Sequence, residues 1–298
     1  MSPEAGKSDP PGGPASLAAK AADFLTFIRF SHTVFALPFA VGSMLVAAGG
    51  LPSAGVVAGI LAAMVFARTA AMTFNRLADW EIDRRNPRTA SRHKLANRSV
   101  ALAACVASSA AFVASAWWLN PLCAMLSPAA LAIIFFYSLT KRFTHGAQFF
   151  LGLALAVAPV GAWLAVRGAF SLPPLVLALA VLLWVAGFDL IYATQDYEVD
   201  LREGLKSMVV WLGIPRALAL AVTLHTAALA SLAAFGFSAG LGPVYYGSLA
   251  VVAAALVYEH REAARGDAAS INRAFFQANA AVGAAFVIGI FIDRIYAP

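Results

Sequence analysis

Two aspartate pairs, Asp79/Asp83 and Asp196/Asp200, each have four-residue spacing in a chain that is otherwise almost continuously apolar. On a helix continuing out of an apolar run, Asn75, Asp79 and Asp83 fall at i, i+4 and i+8, a single stripe of hard oxygen donors. Asp189, Tyr192, Asp196 and Asp200 form a second stripe of nearly the same kind. Such stripes suit Mg²⁺, which takes one or two carboxylates and completes its shell with phosphate oxygens and water. A carboxylate beside hydrocarbon is unfavourable by several kcal/mol, so four of them beside apolar helices imply a bound cation. The metal ligands expected from this pattern are Asn75, Asp79, Asp83, Asp196 and Asp200.

Other residues are placed to handle an anion. Arg68 lies two turns before Asn75, and its planar guanidinium matches phosphate or carboxylate. Tyr137 and Lys141 share a helix face, with Arg142 next in sequence, so a phenol and an ammonium can point together at the same group. Arg29 precedes the first apolar run and can reach a carboxylate-bearing substrate, and Lys206 follows the second aspartate stripe. Each has a plainer reading. Arg68 can snorkel to the interface, Arg29 can anchor there, and Tyr, Lys and Arg are common at cytoplasmic helix ends. Glu198, Arg202 and Glu203 fit a solvated loop, as does His145 a few residues after Lys141. Asp189, inside an apolar run, does not.

The elements that must position these groups are transmembrane helices. Hydrophobic residues make up 61% of 298 and charged residues 12%, with a mean hydropathy of +0.77, far more apolar than a soluble domain. The fold class expected is all-α, a polytopic bundle of nine membrane-spanning helices with two Asp-rich cytoplasmic motifs. The spans run at about 30–49, 54–76, 99–118, 121–138, 148–166, 173–193, 215–236, 241–259 and 274–293, each near the length a bilayer core requires. Pro38, Pro128 and Pro159 inside spans predict kinks. With a cytoplasmic N-terminus, the loops after the even spans carry Arg84, Arg85, Arg88, Arg92, Lys94, Arg98, Lys141, Arg142, Arg202, Lys206, Arg261 and Arg265, and the opposite loops carry only Arg167. Both aspartate pairs then face the cytoplasm, four spans apart, the spacing of an internal repeat. Glu259 and Glu262 fall at the last cytoplasmic loop, away from the site.

Residues 1–22, with Pro10, Pro11, Gly12, Gly13 and Pro14, read as a disordered tail without the basic start of a cleaved signal peptide; residues 23–298 read as one membrane domain. Cys105 and Cys123 lack metal-ligand spacing and read as free thiols. The +6 charge comes with no nucleic-acid motif and follows membrane topology.

Taken together, Asn75-x-x-x-Asp79-x-x-x-Asp83, Asn86-Pro87-Arg88-Thr89, Tyr137-x-x-x-Lys141 and Asp196-x-x-x-Asp200 resemble the UbiA superfamily of intramembrane aromatic prenyltransferases. The resemblance covers about Ile28 to Ile292 and looks strongest to the 4-hydroxybenzoate polyprenyltransferases. Within these it is similar to a bacterial group in which Asn-Arg-Leu-Ala-Asp replaces Asn-Asp-x-x-Asp, a group that includes dihydroxynaphthoate-prenylating enzymes of menaquinone synthesis. Arg76 therefore stands where many relatives have an acid, and Arg92 to Asn97 replace a Pro- and Gly-containing turn. The resemblance implies an enzyme of the bacterial inner membrane with Mg²⁺ as cofactor, polyprenyl diphosphate as donor and an aromatic acceptor. It also implies that Asp79, Asp83, Asp196, Asp200 and Lys141 are catalytic, with Asn75, Arg68, Tyr137, Arg142, Arg29, Tyr192, Asp189 and Lys206 at the substrates. Phe135, Phe136, Phe188 and Tyr192 are candidates to shield an allylic cation. A cation-coupled transporter is the different-class alternative, but it would place its acids near the midplane rather than at one face.

Overall fold

The computed structural model describes residues 35–85 and 97–296, with the backbone alone for Ile82, Asp83 and Arg85. Arg29, the Asn86–Thr89 stretch, the departure at Arg92 to Ala96 and the expected tail at 1–22 lie outside the described residues. Everything described is helix and connecting turn, with no strand among the described residues.

The long helices are α1 (Leu37–Ala48), α2 (Ala54–Ala78), α4 (Arg98–Leu119), α5 (Pro121–Thr140), α6 (Ala147–Arg167), α7 (Leu172–Ala193), α10 (Ile214–Ala239), α11 (Pro243–Ala263) and α12 (Ala268–Tyr296). Between them lie three short helices, α3 (Trp80–Arg85), α8 (Tyr197–Arg202) and α9 (Met208–Leu212), and a single 3₁₀ turn at Thr194–Asp196. Among the described helices, seven are long and apolar enough to cross a bilayer: α2, α4, α5, α6, α7 extended to Arg202, α10 and α12. The described part of α1 has 12 residues, and α11 ends in the polar run Glu259-His260-Arg261-Glu262, which lowers its mean hydropathy. Each helix nevertheless overlaps one of the nine expected apolar runs.

Local chemistry sets the ends. Ser53, Asn97 and Asn120 cap α2, α4 and α5, each side-chain oxygen accepting a backbone N–H three residues on. Asn120 also donates from Nδ2 to Leu164 O at 2.8 Å, tying the start of α5 to the end of α6. Pro128 and Pro159 are interior to α5 and α6, as expected, whereas Pro38 lies at the start of α1, where its missing N–H costs nothing. Pro159 O accepts from Ser43 Oγ at 2.7 Å, which adds a polar tie between α6 and α1.

Helix α7 is the axis of the bundle. Leu177, Val181, Trp184, Val185 and Phe188 are buried on it, packed by α6 on one side and α10 on the other. The approach of α6 is close because Gly152 has no side chain: a Cβ there would stand 2.4 Å from Leu182 O. Glu259 and Glu262 correct the sequence expectation, since both are buried on α11 rather than placed in a loop. Glu259 Oε1 accepts from Asn279 Nδ2 of α12 while its Oε2 lies 3.8 Å from His225 Nδ1, and Glu262 accepts from Arg265 and Arg273, so the acids at the end of α11 meet partners from neighbouring segments.

Candidate active site

The first aspartate motif is not a continuous helix. α2 ends at Asp79, whose φ of −95° and ψ of 14° interrupt the α-helical path, and α3 restarts at Trp80. The second motif breaks the same way: α7 gives way to the 3₁₀ turn at Thr194–Asp196, and α8 begins at Tyr197. The unbroken stripes read from i, i+4 spacing are thus corrected to carboxylates on either side of a break.

Helices α2, α5 and α7 bring their motif-bearing ends together. Asn75 Nδ2 donates to the buried Ser138 Oγ of α5 at 3.3 Å. Arg142, just past α5, donates from Nη2 to Ala78 O at 2.5 Å and lies 3.8 Å from Asp79 Oδ1. Lys141 ends α5 among Asp189, Tyr137, Asp200 and Asp79, which are all within its electrostatic reach. It is solvent-accessible yet surrounded by protein, as a group lining an open cavity is. Burial works against its charge, but the attraction of Asp189, then Tyr137, Asp200 and Asp79, outweighs it and raises the Lys141 pKa. Asp189 is also within reach of Asp196. Acids from both motifs, separated by more than a hundred residues, therefore lie within electrostatic reach of Lys141.

Beyond that centre, between α2, α5 and α6, lies an almost wholly apolar cavity of about 470 Å³. Ile60, Met64, Leu126, Ile133 and Leu155 are among its lining residues, and Arg68 and Tyr137 bring polar groups to its wall. Tyr137 is the hinge of the arrangement, lining the cavity and lying within reach of Lys141, Arg68, Asp189 and Asp79. The site thus joins a polar, carboxylate-rich head to a greasy pocket, which is what an amphiphile with an anionic head and a hydrocarbon tail requires.

Other expected site residues stand differently. The Asp83 side chain and Arg29 are outside the described residues. Lys206 donates from Nζ to Phe143 O at 3.3 Å, across to the turn after α5. Tyr192 turns its ring onto Phe275, at 4.7 Å between centroids. Phe188 is buried in edge-on stacks with Trp184 and Phe275, and Phe135 stacks on Phe74. Arg76, at the departure from the family pattern, is buried. Sequence reasoning missed Ser138, and it missed Asn272, whose Nδ2 donates to Gln195 Oε1 beside Asp196 and ties α12 to the second motif. Neither has a local sequence signal. Among the described residues no three His, Cys, Asp or Glu side chains close on one point as a ready-made metal cage.

An all-helical membrane bundle with a carboxylate-rich head over an apolar cavity is the architecture of an intramembrane transferase of lipid-like substrates. Residues 35–281 match the UbiA prenyltransferase family, and the chain belongs to that family: it is an integral membrane prenyltransferase. It is 31% identical over 285 residues to the 4-hydroxybenzoate octaprenyltransferase of Vibrio atlanticus (strain LGP32), covering 93% of this chain and 99% of the relative. It is 32% identical over 294 residues to that of Methylococcus capsulatus, covering 95% and 99%. The apo structure of a UbiA homologue from Aeropyrum pernix K1 matches with a TM-score of 0.80 at 35% identity, over 88% of this chain and 98% of that one. A UbiA homologue from Archaeoglobus fulgidus bound to GPP and Mg²⁺ shares the fold, with a TM-score of 0.65 at 22% identity over 90% and 99% of the two chains.

Proposed function

We propose that this chain transfers a polyprenyl group from polyprenyl diphosphate to 4-hydroxybenzoate at the inner membrane of a bacterium, in ubiquinone synthesis. The observation that carries this reading is Lys141, held among Asp79, Asp189, Asp200 and Tyr137 beside the apolar cavity. The names of the relatives support the donor and the acceptor.

The cavity between α2, α5 and α6 receives the isoprenoid tail, and its apolar lining keeps water from the reacting carbon. Asp79, Asp83, Asp196 and Asp200, with Asn75, would hold Mg²⁺ against the diphosphate. The donor set fits by its chemistry: carboxylate and amide oxygens are hard donors, which suit a hard cation that also takes phosphate oxygens and water. Bound Mg²⁺ neutralises charge on the departing diphosphate. Lys141 adds an ammonium and Arg142 a guanidinium at the same place, and both act most strongly as the allylic C–O bond breaks and charge moves onto the leaving oxygen. A ring carbon ortho to the phenolic hydroxyl then bonds to the allylic carbon, and the proton on that ring carbon is lost, restoring aromaticity. Arg68 and Tyr137 are placed to orient the acceptor, since a guanidinium and a phenol on an apolar wall match a carboxylate.

Nine spans with a cytoplasmic N-terminus complete the reading, putting both aspartate motifs and Lys141 on the cytoplasmic side. A second acceptor, a dihydroxynaphthoate, is favoured by Asn75-Arg76-Leu77-Ala78-Asp79, where the buried Arg76 replaces an acid. The transporter alternative finds no support, because the acids gather at one end of the bundle. Membranes incubated with polyprenyl diphosphate, Mg²⁺ and each acceptor separately, followed by mass analysis of the lipid extract, test the reading. A prenylated 4-hydroxybenzoate supports it, product only with the naphthoate moves the chain to the second reading, and no product with either removes both.

A further inference from the structure

The turn after α5 is wound tightly on itself. Arg142 N donates to Leu139 O, and Phe143 N and Thr144 N donate to Thr140 O, at 3.1, 3.1 and 2.9 Å; Gly146 N donates to Thr144 Oγ1 at 3.1 Å. These local bonds make Lys141 to Gly146 one compact turn. One edge of the turn is fixed to the first aspartate motif, through Arg142 to Ala78 O and Asp79.

The other edge is fixed to the second motif by two crossing bonds. Lys206 Nζ donates to Phe143 O at 3.3 Å, and His145 Nδ1 lies 3.2 Å from Ser207 O. A carbonyl only accepts, so His145 Nδ1 carries the proton in this bond, whichever state the other nitrogen is in. The imidazole is also stacked on Trp211 at 5.8 Å and 25°. The segment they grip is itself tied to Asp200: α8 ends with Gly204 at φ 64°, Leu205 N donates to Asp200 O at 2.9 Å and Gly204 N donates to Leu201 O at 3.4 Å. That is a Schellman ending, which fixes the chain direction of Lys206 and Ser207 relative to Asp200.

We propose that His145 is a positioning residue: its bond to Ser207 O and its stack on Trp211 hold the Lys141–Gly146 turn between the two aspartate motifs and so set the place of the Lys141 ammonium over the diphosphate. Lys206 is its partner in the same clasp. The inference rests on the diphosphate-binding role given to Lys141 above, and not on which acceptor is used. The clasp joins the turn that carries Lys141 to the segment just after Asp200, so it bears on the spacing of Lys141 and Asp200, beside the direct attraction between the two.

The test is a double-mutant cycle read by binding rather than turnover, so that a wrong acceptor cannot obscure it. The dissociation constant of a non-cleavable prenyl thiodiphosphate with Mg²⁺ is measured for the full chain, His145→Ala, Lys141→Met and the double variant. His145→Ala is expected to weaken binding about tenfold in the native background and less than about twofold when Lys141 is already Met, because its effect passes through that ammonium. His145→Asn, which keeps a donor toward Ser207 O, is expected to recover part of the loss. Equal loss in both backgrounds, or no loss from His145→Ala, overturns the inference. Failure of 4-hydroxybenzoate as acceptor with the cycle intact would instead overturn only the proposed function.

Discussion

Asp79 and Asp196 adopt nearly the same backbone at the ends of two different helices, φ −95° and ψ 14° at the first and φ −98° and ψ 0° at the second. Each is followed by a six-residue helix, Trp80–Arg85 and Tyr197–Arg202. This bridge-region conformation is the one turn residues commonly take, and at both aspartates it bends the chain away from a straight α-helix. It ends the rigid helix at the carboxylate and redirects the next turn.

Asp79→Asn and Asp196→Asn each keep size while removing a negative oxygen. Both are expected to lower prenyl transfer by about 10²- to 10³-fold with the helical content unchanged, as loss of a group acting on transition-state charge does. Product formation and circular dichroism in matched membranes check this. Near-native transfer by both would remove these aspartates from the mechanism.

Metal dependence follows from the same carboxylates. Excess chelator is expected to abolish transfer and added Mg²⁺ to restore it, because the acidic head needs a cation to accept a diphosphate. Full turnover in chelator contradicts the assignment.

Lys141 gives a pH signature. Its folded pKa is raised above the ordinary lysine value, so the stability it contributes is fully present below that ordinary value and is lost as pH rises through the raised one. Lys141→Met is therefore expected to melt below the native chain across neutral and moderately alkaline pH, with the gap closing only beyond the ordinary lysine range. A gap that closed near neutrality would show that Lys141 is not held charged by these acids.

Packing of α6 on α7 is tested at two glycines. Gly152→Ala brings a Cβ to 2.4 Å from the Leu182 carbonyl oxygen and is expected to destabilise by about 1–3 kcal/mol. Gly161→Ala, with nothing within 4 Å of the added carbon, is expected to hold or raise the melting temperature. Thermal melts in one detergent separate the two.

Sidedness is open to labelling. Cysteines at Glu203 and Ala169, both exposed positions, are expected to react with an impermeant reagent from opposite faces, Glu203 from the cytoplasm. Labelling of both from one side refutes the proposed topology.

Much of this molecule was legible as sequence because hydropathy and charge spacing are local. Runs such as Leu172–Ala193 announce a helix by composition alone, and carboxylates beside such runs announce a cation because their desolvation has to be offset. What the sequence could not determine were relations between residues far apart in the chain. The break at Asp196 contradicts an unbroken i, i+4 stripe, and Glu259 looked like loop until Asn279, 20 residues away on the next helix, supplied a donor to it. Lys206 read as a cation at the substrates, and no local pattern announced that its ammonium reaches back 63 residues to Phe143 O. Spacing along one helix fixes which side chains share a face, but which helix ends meet depends on how the bundle packs around α7, through close approaches such as Gly152 on Leu182. Tertiary packing alone put Lys141 among Asp79, Asp189 and Asp200, because no local pattern specifies a neighbour that the chain reaches only after it has folded.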